Sequence, residues 1–279
     1  MGLTERWTTL RYHEEQQKYM RSTTRFNVVP AGRRSGKTEC AKRRVILRAL
    51  TETDWSDAWF VCGAPTHSQA KRIFWADLKA MIPKNLLAKP PSEGLLSLFL
   101  INGAEITVLG LDAPERIEGR PLNGIVLDEY GNMKEKVWGE HLRPALSDRL
   151  GWVDFIGVPE GRNHYYDLYQ AAKRDVTGDW EAFTWTSEGI LDPREISAAK
   201  RDLDELTYQQ EYCASFVTFE GRAYHSFNAN TNTKALLPYD PDDDLVLCFD
   251  FNVNPGVAVM CQEKGSTTNV IGEVHIPNN

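Results

Sequence analysis

Cysteine is sparse and long apolar runs are missing. The five cysteines among 279 residues, Cys40, Cys62, Cys213, Cys248 and Cys261, are odd in number, scattered and without a C-x-x-C pair. Neither a disulfide framework nor a structural zinc site is therefore indicated, and reduced, mostly buried thiols are expected. No apolar stretch approaches the roughly 18 residues that cross a bilayer, and the opening MGLTERWTTLRYHEEQQ has no apolar signal core. A cytosolic chain without a membrane partner is expected. Internal repeats and low-complexity tracts are absent too, so a repeat architecture is excluded. With 42% hydrophobic and 25% charged residues, the chain is not mainly disordered, collagenous or coiled-coil. Basic residues are rare at one end: residues 240–279 hold one Lys against seven acids, which suits a cation better than a phosphate. The other end reverses this. Residues 1–50 hold 12 Lys/Arg against 4 Asp/Glu, an excess able to face a polyanion.

The length suggests about two domains. From residue 26 to residue 187 strand-like and helix-like segments alternate, the pattern of a parallel sheet wrapped by helices. Strands are expected at Phe26–Ala31, Ala58–Pro65, Gly124–Glu129, Trp152–Pro159 and Trp180–Ser187. Helices are expected at Ser68–Ile82 and Asn163–Asp175, where apolar residues recur on one face. Leu96–Ile101 and Ala104–Gly110 flank Asn102-Gly103, the signature of a hairpin with a two-residue I′ turn. Asp192 and Pro193 open the first of two short helices. An irregular stretch, Phe219–Asp244, precedes three strand-like runs, Leu245–Phe251, Val257–Glu263 and Thr268–Ile276. These read as the start of a second domain too short to close a core alone, and a truncated chain is the expectation.

Ala31-Gly32-Arg33-Arg34-Ser35-Gly36-Lys37-Thr38 follows a strand and opens a helix. It fits G-x-x-x-x-G-K-[ST] with Ala31 in place of the first Gly. Backbone amides of such a loop wrap phosphate oxygens; Lys37 would meet the β/γ-phosphates and Thr38 a Mg²⁺ ion. A second acid is needed near that ion. Gly124-Ile125-Val126-Leu127-Asp128-Glu129 is an apolar strand ending in two carboxylates, Asp128 for the magnesium and Glu129 to polarise an attacking water. The doubled acid favours hydrolysis over transfer to a metabolite. An arginine for the transition state comes from Arg116 and Arg120, or from Arg143 and Arg149; the sequence does not choose. Asp250 is a lone acid in the apolar strand Leu245–Phe251, costly unless a cation neutralises it, so it is a candidate metal ligand with Glu273 as a possible companion. Asp242-Asp243-Asp244 reads as a solvated linker edge.

Five ordered segments resemble a known family: Arg25-Phe26 through Thr38, Ala64-Pro65-Thr66 with Gln69-Ala70-Lys71, Ile125 through Tyr130, Leu142 through Arg149, and Gly157 through His164. Together they resemble the large terminase subunit of tailed double-stranded DNA phages. The resemblance implies an ATPase of the P-loop (ASCE) class at residues 1–190, a lid or linker at 191–240, and the first strands of an RNase H-like nuclease at 241–279. ATP would be held by Gln16, Gly32, Arg33, Arg34, Ser35, Gly36, Lys37 and Thr38, with Gln16 at the adenine edge. Thr38 and Asp128 would hold Mg²⁺, Glu129 and Lys37 would be catalytic, and Arg120 would be the finger. Gly157-Val158-Pro159 looks like the coupling motif. Asp250 and Glu273 would bind Mg²⁺ or Mn²⁺ for DNA cleavage. The implied partners are double-stranded DNA, a small recognition subunit, the portal and procapsid, and other copies in a ring, in the host cytoplasm. A helicase-like translocase without nuclease chemistry and a DNA-binding scaffold with a structural nucleotide site are the alternatives.

Overall fold

The computed structural model describes residues 13–217, 232–234, 237, 239–250, 256–265 and 267–276. The chain divides into two compact units, Met1–Gly221 and Arg222–Asn279.

The first unit is a mixed α/β fold built on a seven-stranded sheet. Its strands are β1 (Phe26–Pro30), β2 (Trp59–Ala64), β3 (Ser97–Phe99), β4 (Glu105–Gly110), β5 (Gly124–Leu127), β6 (Trp152–Gly157) and β7 (Trp180–Ala182). They lie in the order β3-β4-β2-β5-β6-β1-β7, every pair parallel except β3 with β4. Both faces are covered, which is why the strands read as unbroken apolar runs. The two-residue strand period sorts their side chains into two cores. Val29, Phe60, Cys62, Val126 and Ile156 join one, and Val28, Val61, Ile125, Leu127 and Phe155 the other.

Helix α1 (Glu14–Arg21) and α2 (Lys37–Thr51) pack on the first of these faces. Residues 67–81 form a helix with a π turn at Lys71–Trp75. Helix α3 (His164–Lys173) is capped by Asn163, α4 (Pro193–Asp202) by Asp192 and α5 (Glu205–Glu211) by Asp204. Each cap accepts a bond from a first-turn amide that would otherwise be orphaned.

The hairpin forms with a different turn. Gly103 has φ +90° but Asn102 is not among the positive-φ residues, whereas a I′ turn needs both. Leu100 N donates to Ala104 O and Gly103 N to Leu100 O, closing a three-residue loop. The Asn102 side chain donates to Ala49 O at 2.8 Å, so it caps the carbonyl end of α2.

Polar residues buried on the α2 face form one network. Asp154 of β6 accepts from Arg44 of α2 at 2.8 Å, Tyr19 of α1 at 2.9 Å and Asn27 of β1 at 2.8 Å. Burial, then the neighbouring Asp154 charge, holds the Tyr19 phenol well above its ordinary pKa, so Tyr19 is a permanent donor. α1 is thereby fixed to the helix that follows the phosphate-loop sequence.

In the second unit, β8 (Leu245–Asp250), β9 (Gly256–Lys264) and β10 (Thr267–Ile276) form an antiparallel sheet with β9 central. Most of the expected irregular stretch Phe219–Asp244 lies outside the described residues.

Candidate active site

β1 lies between β6 and β7, both parallel to it, so the loop leaving its carboxyl end is flanked on both sides. Ala31, fully buried, donates its amide to Gly157 O at 3.0 Å, and Gly32 donates to Trp185 O at 3.0 Å. Nothing there asks for a first glycine. Gly32 is different: a Cβ would stand 2.3 Å from Ser187 Oγ and 2.7 Å from Tyr212 O. Gly36 has φ +84°, and its Cβ would meet Gln16 Nε2 at 2.7 Å, so both constraints select glycine. It caps α2, whose first amides, those of Lys37 and Thr38, have no bonding partner among the described residues.

Lys37 is only 6% exposed. Among the described residues its ammonium reaches one acceptor, Gly32 O, at 3.5 Å, although it carries three donors. Burial lowers its pKa, and the charges of Asp128 and Glu129 pull the other way. Thr38 Oγ1 donates to Asp128 Oδ2 at 2.9 Å, and Glu129 N donates to Asp128 Oδ1 at 3.0 Å. Asp128 is 2% exposed; burial first, and then the Glu129 charge, push its pKa up to about 6 against the pull of Lys37 and the Thr38 bond. Glu129 follows with φ 54° and ψ 44°, a left-handed backbone that costs a non-glycine residue about 1–2 kcal/mol. Strain at a carboxylate beside a buried lysine makes this group the candidate site.

Lys37, Thr38, Asp128 and Glu129 are thus brought together at the carboxyl edge of the sheet. Three features fit a magnesium nucleotide: the under-bonded ammonium, the paired oxygens of Thr38 and Asp128, and Ser35 Oγ, buried with no partner among the described residues. Gly157 packs against this group as well, since a Cβ there would lie 3.5 Å from Glu129 Cα, and its carbonyl holds Ala31. Gln16 is 4% exposed; its Nε2 donates to Ser35 O at 2.7 Å and its Oε1 accepts from His13 N at 3.3 Å.

Four further residues border the loop. Arg33 N donates to Glu211 O at 2.6 Å, and the Arg33 guanidinium pairs with the Glu211 carboxylate. Gln210 Oε1 accepts from Gly161 N at 3.1 Å, so the end of α5 holds the phosphate-loop sequence and the loop after β6 at once. Trp185 and Ser187 also back the loop, Ser187 beside Tyr212 against Gly32. Glu211 lies 178 residues from Arg33 in a helix without any motif, so only a signal of spatial proximity could have found it.

Three of the arginine candidates are not brought to this group. Arg120 bonds Glu105 at 2.5 Å and lies 4.7 Å over the Trp59 ring. Arg149 pairs with Asp57 at 2.8 Å, and Arg143 lies 5.5 Å over Phe26. Trp59, Glu105 and Phe26 begin their strands, so these arginines stand at the amino edge of the sheet. The basic excess of the first 50 residues also has another use. Lys42, Arg43 and Arg44 are buried and pair with Asp77, Glu39 and Asp154, so they face inward rather than toward a polyanion.

In the second unit Asp250 pairs in register with Val257, and Glu273 with Val259. The Asp250 side chain lies outside the described residues. The Glu273 side chain is 67% exposed, 3.3 Å from His275. Groups of three or more potential metal ligands are absent among the described residues. No described helix is long and apolar enough to cross a membrane.

Residues 28–230 match the family described as terminase large subunit, T4likevirus-type, N-terminal. Terminase large subunits of Thermus virus P23-45 and Escherichia phage T5 are each 26% identical, covering 82% and 76% of this chain and 52% and 48% of those proteins. The chain spans about half the length of the curated relatives it matches. Among solved structures, the large terminase ATPase domain of Thermus phage P74-26 is similar at TM-score 0.61 and 23% identity, covering 74% of this chain and 94% of that one. A large terminase from another thermophilic bacteriophage gives 0.65 at 16% identity, covering 96% and 69%. At such identities the structural likeness shows the shared fold.

Proposed function

This chain belongs to the family of T4-like-virus-type terminase large subunits, and from that premise we propose that its first unit hydrolyses ATP to drive double-stranded DNA into a procapsid. The observation that carries the reading is the 2.9 Å contact of Thr38 with Asp128 beside the buried ammonium of Lys37. Strand β5 delivers the two carboxylates and helix α2 delivers the lysine and threonine, so both elements must form before the group exists.

In this reading the loop of Gly32, Arg33, Arg34, Ser35 and Gly36 surrounds the phosphates with the amides of Arg34 and Gly36 facing them, since those of Gly32 and Arg33 donate to Trp185 O and Glu211 O, and Lys37 neutralises the β/γ oxygens. Mg²⁺, held by Thr38 and Asp128, would offset charge on the same oxygens. Glu129 orients and deprotonates the attacking water. Gln16 keeps one amide hydrogen and one oxygen lone pair beyond its two bonds to described residues, enough for an adenine edge. The second of the thermophilic phage terminases has been solved in complex with ADP and with ATP-gamma-S, which supports an adenine nucleotide here. Arg120 stands at the far edge of its own sheet from Lys37, so as a finger it serves a neighbouring subunit, and the active assembly is a homo-oligomeric ring.

The family reading divides the chain into residues 1–190 for the ATPase, 191–240 for a lid and 241–279 for the start of a nuclease. Asp250, with Glu273 and further carboxylates, would hold Mg²⁺ or Mn²⁺ there to cut concatemeric DNA. The portal, the procapsid and a small recognition subunit would be its partners in the host cytoplasm. Lys37→Ala tests the ATPase. Turnover measured with and without DNA should fall more than a hundredfold, since removing such a charge costs several kcal/mol of transition-state stabilisation. Turnover within about tenfold of the unaltered protein would refute the assignment.

A further inference from the structure

The loop from Ala31 to Gly36 must aim amide hydrogens at phosphate oxygens, and each peptide unit can do this in one orientation only. In a trans peptide the carbonyl and the following N–H point in opposite directions. A carbonyl held on the far side of the loop therefore turns the next amide toward the nucleotide. A loop rich in glycine does not fix that orientation by itself, because glycine accepts both signs of φ.

Here two of these carbonyls are held from behind. Ser187 Oγ donates to Arg33 O at 2.6 Å, which turns the Arg34 amide away from that bond. Trp185 Nε1 donates to Ser35 O at 3.0 Å, joining Gln16 on the same oxygen, which does the same for the Gly36 amide. The Trp185 backbone carbonyl also accepts from Gly32 N at 3.0 Å. Neither donor is free to wander: Ser187 is fully buried, Trp185 is 5% exposed, and the indole packs against His13 and Tyr19 with ring centroids 5.6 and 6.0 Å away. Ser187 N is itself bonded to Tyr212 O at 2.8 Å.

We propose that Trp185 and Ser187 are positioning residues for phosphate binding, locking the Ser35–Gly36 and Arg33–Arg34 peptides with their amides toward the nucleotide before it arrives. This rests on the ATPase reading above. The lock acts where the β- and γ-phosphates bind, not on the base, so its removal is selective. Trp185→Phe deletes the donor and keeps an aromatic ring for the packing. Ser187→Ala deletes a single hydroxyl.

Calorimetric titration of the 279-residue chain and each variant with ADP and with AMP, both in Mg²⁺, tests this. Each variant should bind ADP about three- to tenfold more weakly, the weight of one hydrogen bond, with AMP changed less than twofold. Unchanged ADP affinity, or equal losses for ADP and AMP, would overturn the proposal. Should Trp185→Phe lose its circular dichroism melting transition, Ser187→Ala decides alone by the same criterion. Failure of the unaltered chain to bind either nucleotide would refute the ATPase reading itself, and the lock with it, an outcome distinct from a lost ADP/AMP difference.

Discussion

Replacing Asp128 by Asn should make the nucleotide-free protein more stable while abolishing its turnover. Unfolded, this carboxyl titrates near 3.8; folded, burial and then the Glu129 charge move it to about 6. Between those values the folded chain retains a proton that the unfolded chain has released, so stability falls as pH rises through the window. Below it both states are protonated and nothing is lost. At pH 7 the full cost is in place, about 3 kcal/mol at most. Asn keeps the shape and an acceptor for Thr38 Oγ1 but never ionises, so about 1–3 kcal/mol should be regained after its new amide is accommodated. Urea denaturation followed by tryptophan fluorescence in EDTA reads this out. All eight tryptophans precede residue 186, so the signal belongs to the first unit. The stability difference should be near zero at about pH 4 and reach a plateau above about pH 6.5. A variant less stable at pH 7, or a difference flat in pH, would refute the argument.

Glu129→Gln should bind ADP as the unaltered protein does and lose ATP turnover by about 10²–10⁴-fold, the usual weight of a general base; normal turnover would reduce Glu129 to a turn residue. Arg120→Ala should keep ATP affinity and lose turnover, and mixing it with Lys37→Ala protein should restore part of the rate. Unaltered turnover in the single variant, or no restoration in the mixture, would remove it as a finger acting between subunits. Asp154→Ala should lower the unfolding free energy read from urea denaturation by about 3–5 kcal/mol because Arg44 is left charged and buried. A loss below about 1 kcal/mol would show that the network on the α2 face is not holding α1.

The parallel sheet is legible in the sequence because burial on both faces leaves a strand with almost no polar residue to interrupt it, as in Gly124–Leu127. Strand ends are less so: Trp180–Ser187 narrows to Trp180–Ala182, since beyond Phe183, whose amide still bonds Val28 O, the chain turns its bonds toward the phosphate-loop sequence. The hairpin's turn type escapes a local reading because Asn102 has a second task, capping α2, which neighbouring residues do not reveal. Lys37, Thr38, Asp128 and Glu129 can be read because each follows the strand that delivers it. Trp185, Ser187, Gln210 and Glu211 cannot, because their partners are far away in sequence and each acts through one or two hydrogen bonds or an ion pair. The Lys and Arg of α2 mislead for the same reason: composition counts charges without saying which ones have found an acid inside.

Those inward-facing cations change how a mutational scan of this protein would read. A search for DNA contacts guided by clustered Lys and Arg would choose α2 first. Neutralising Lys42, Arg43 or Arg44 removes an ion pair with Asp77, Glu39 or Asp154, so a lost activity would report a loosened interior rather than a missing DNA contact. A salt titration separates the two causes. Loss of a real phosphate contact flattens the dependence of DNA affinity on ionic strength, since one fewer counterion is released, whereas a collapsed interior lowers the amount of active protein and leaves that slope untouched.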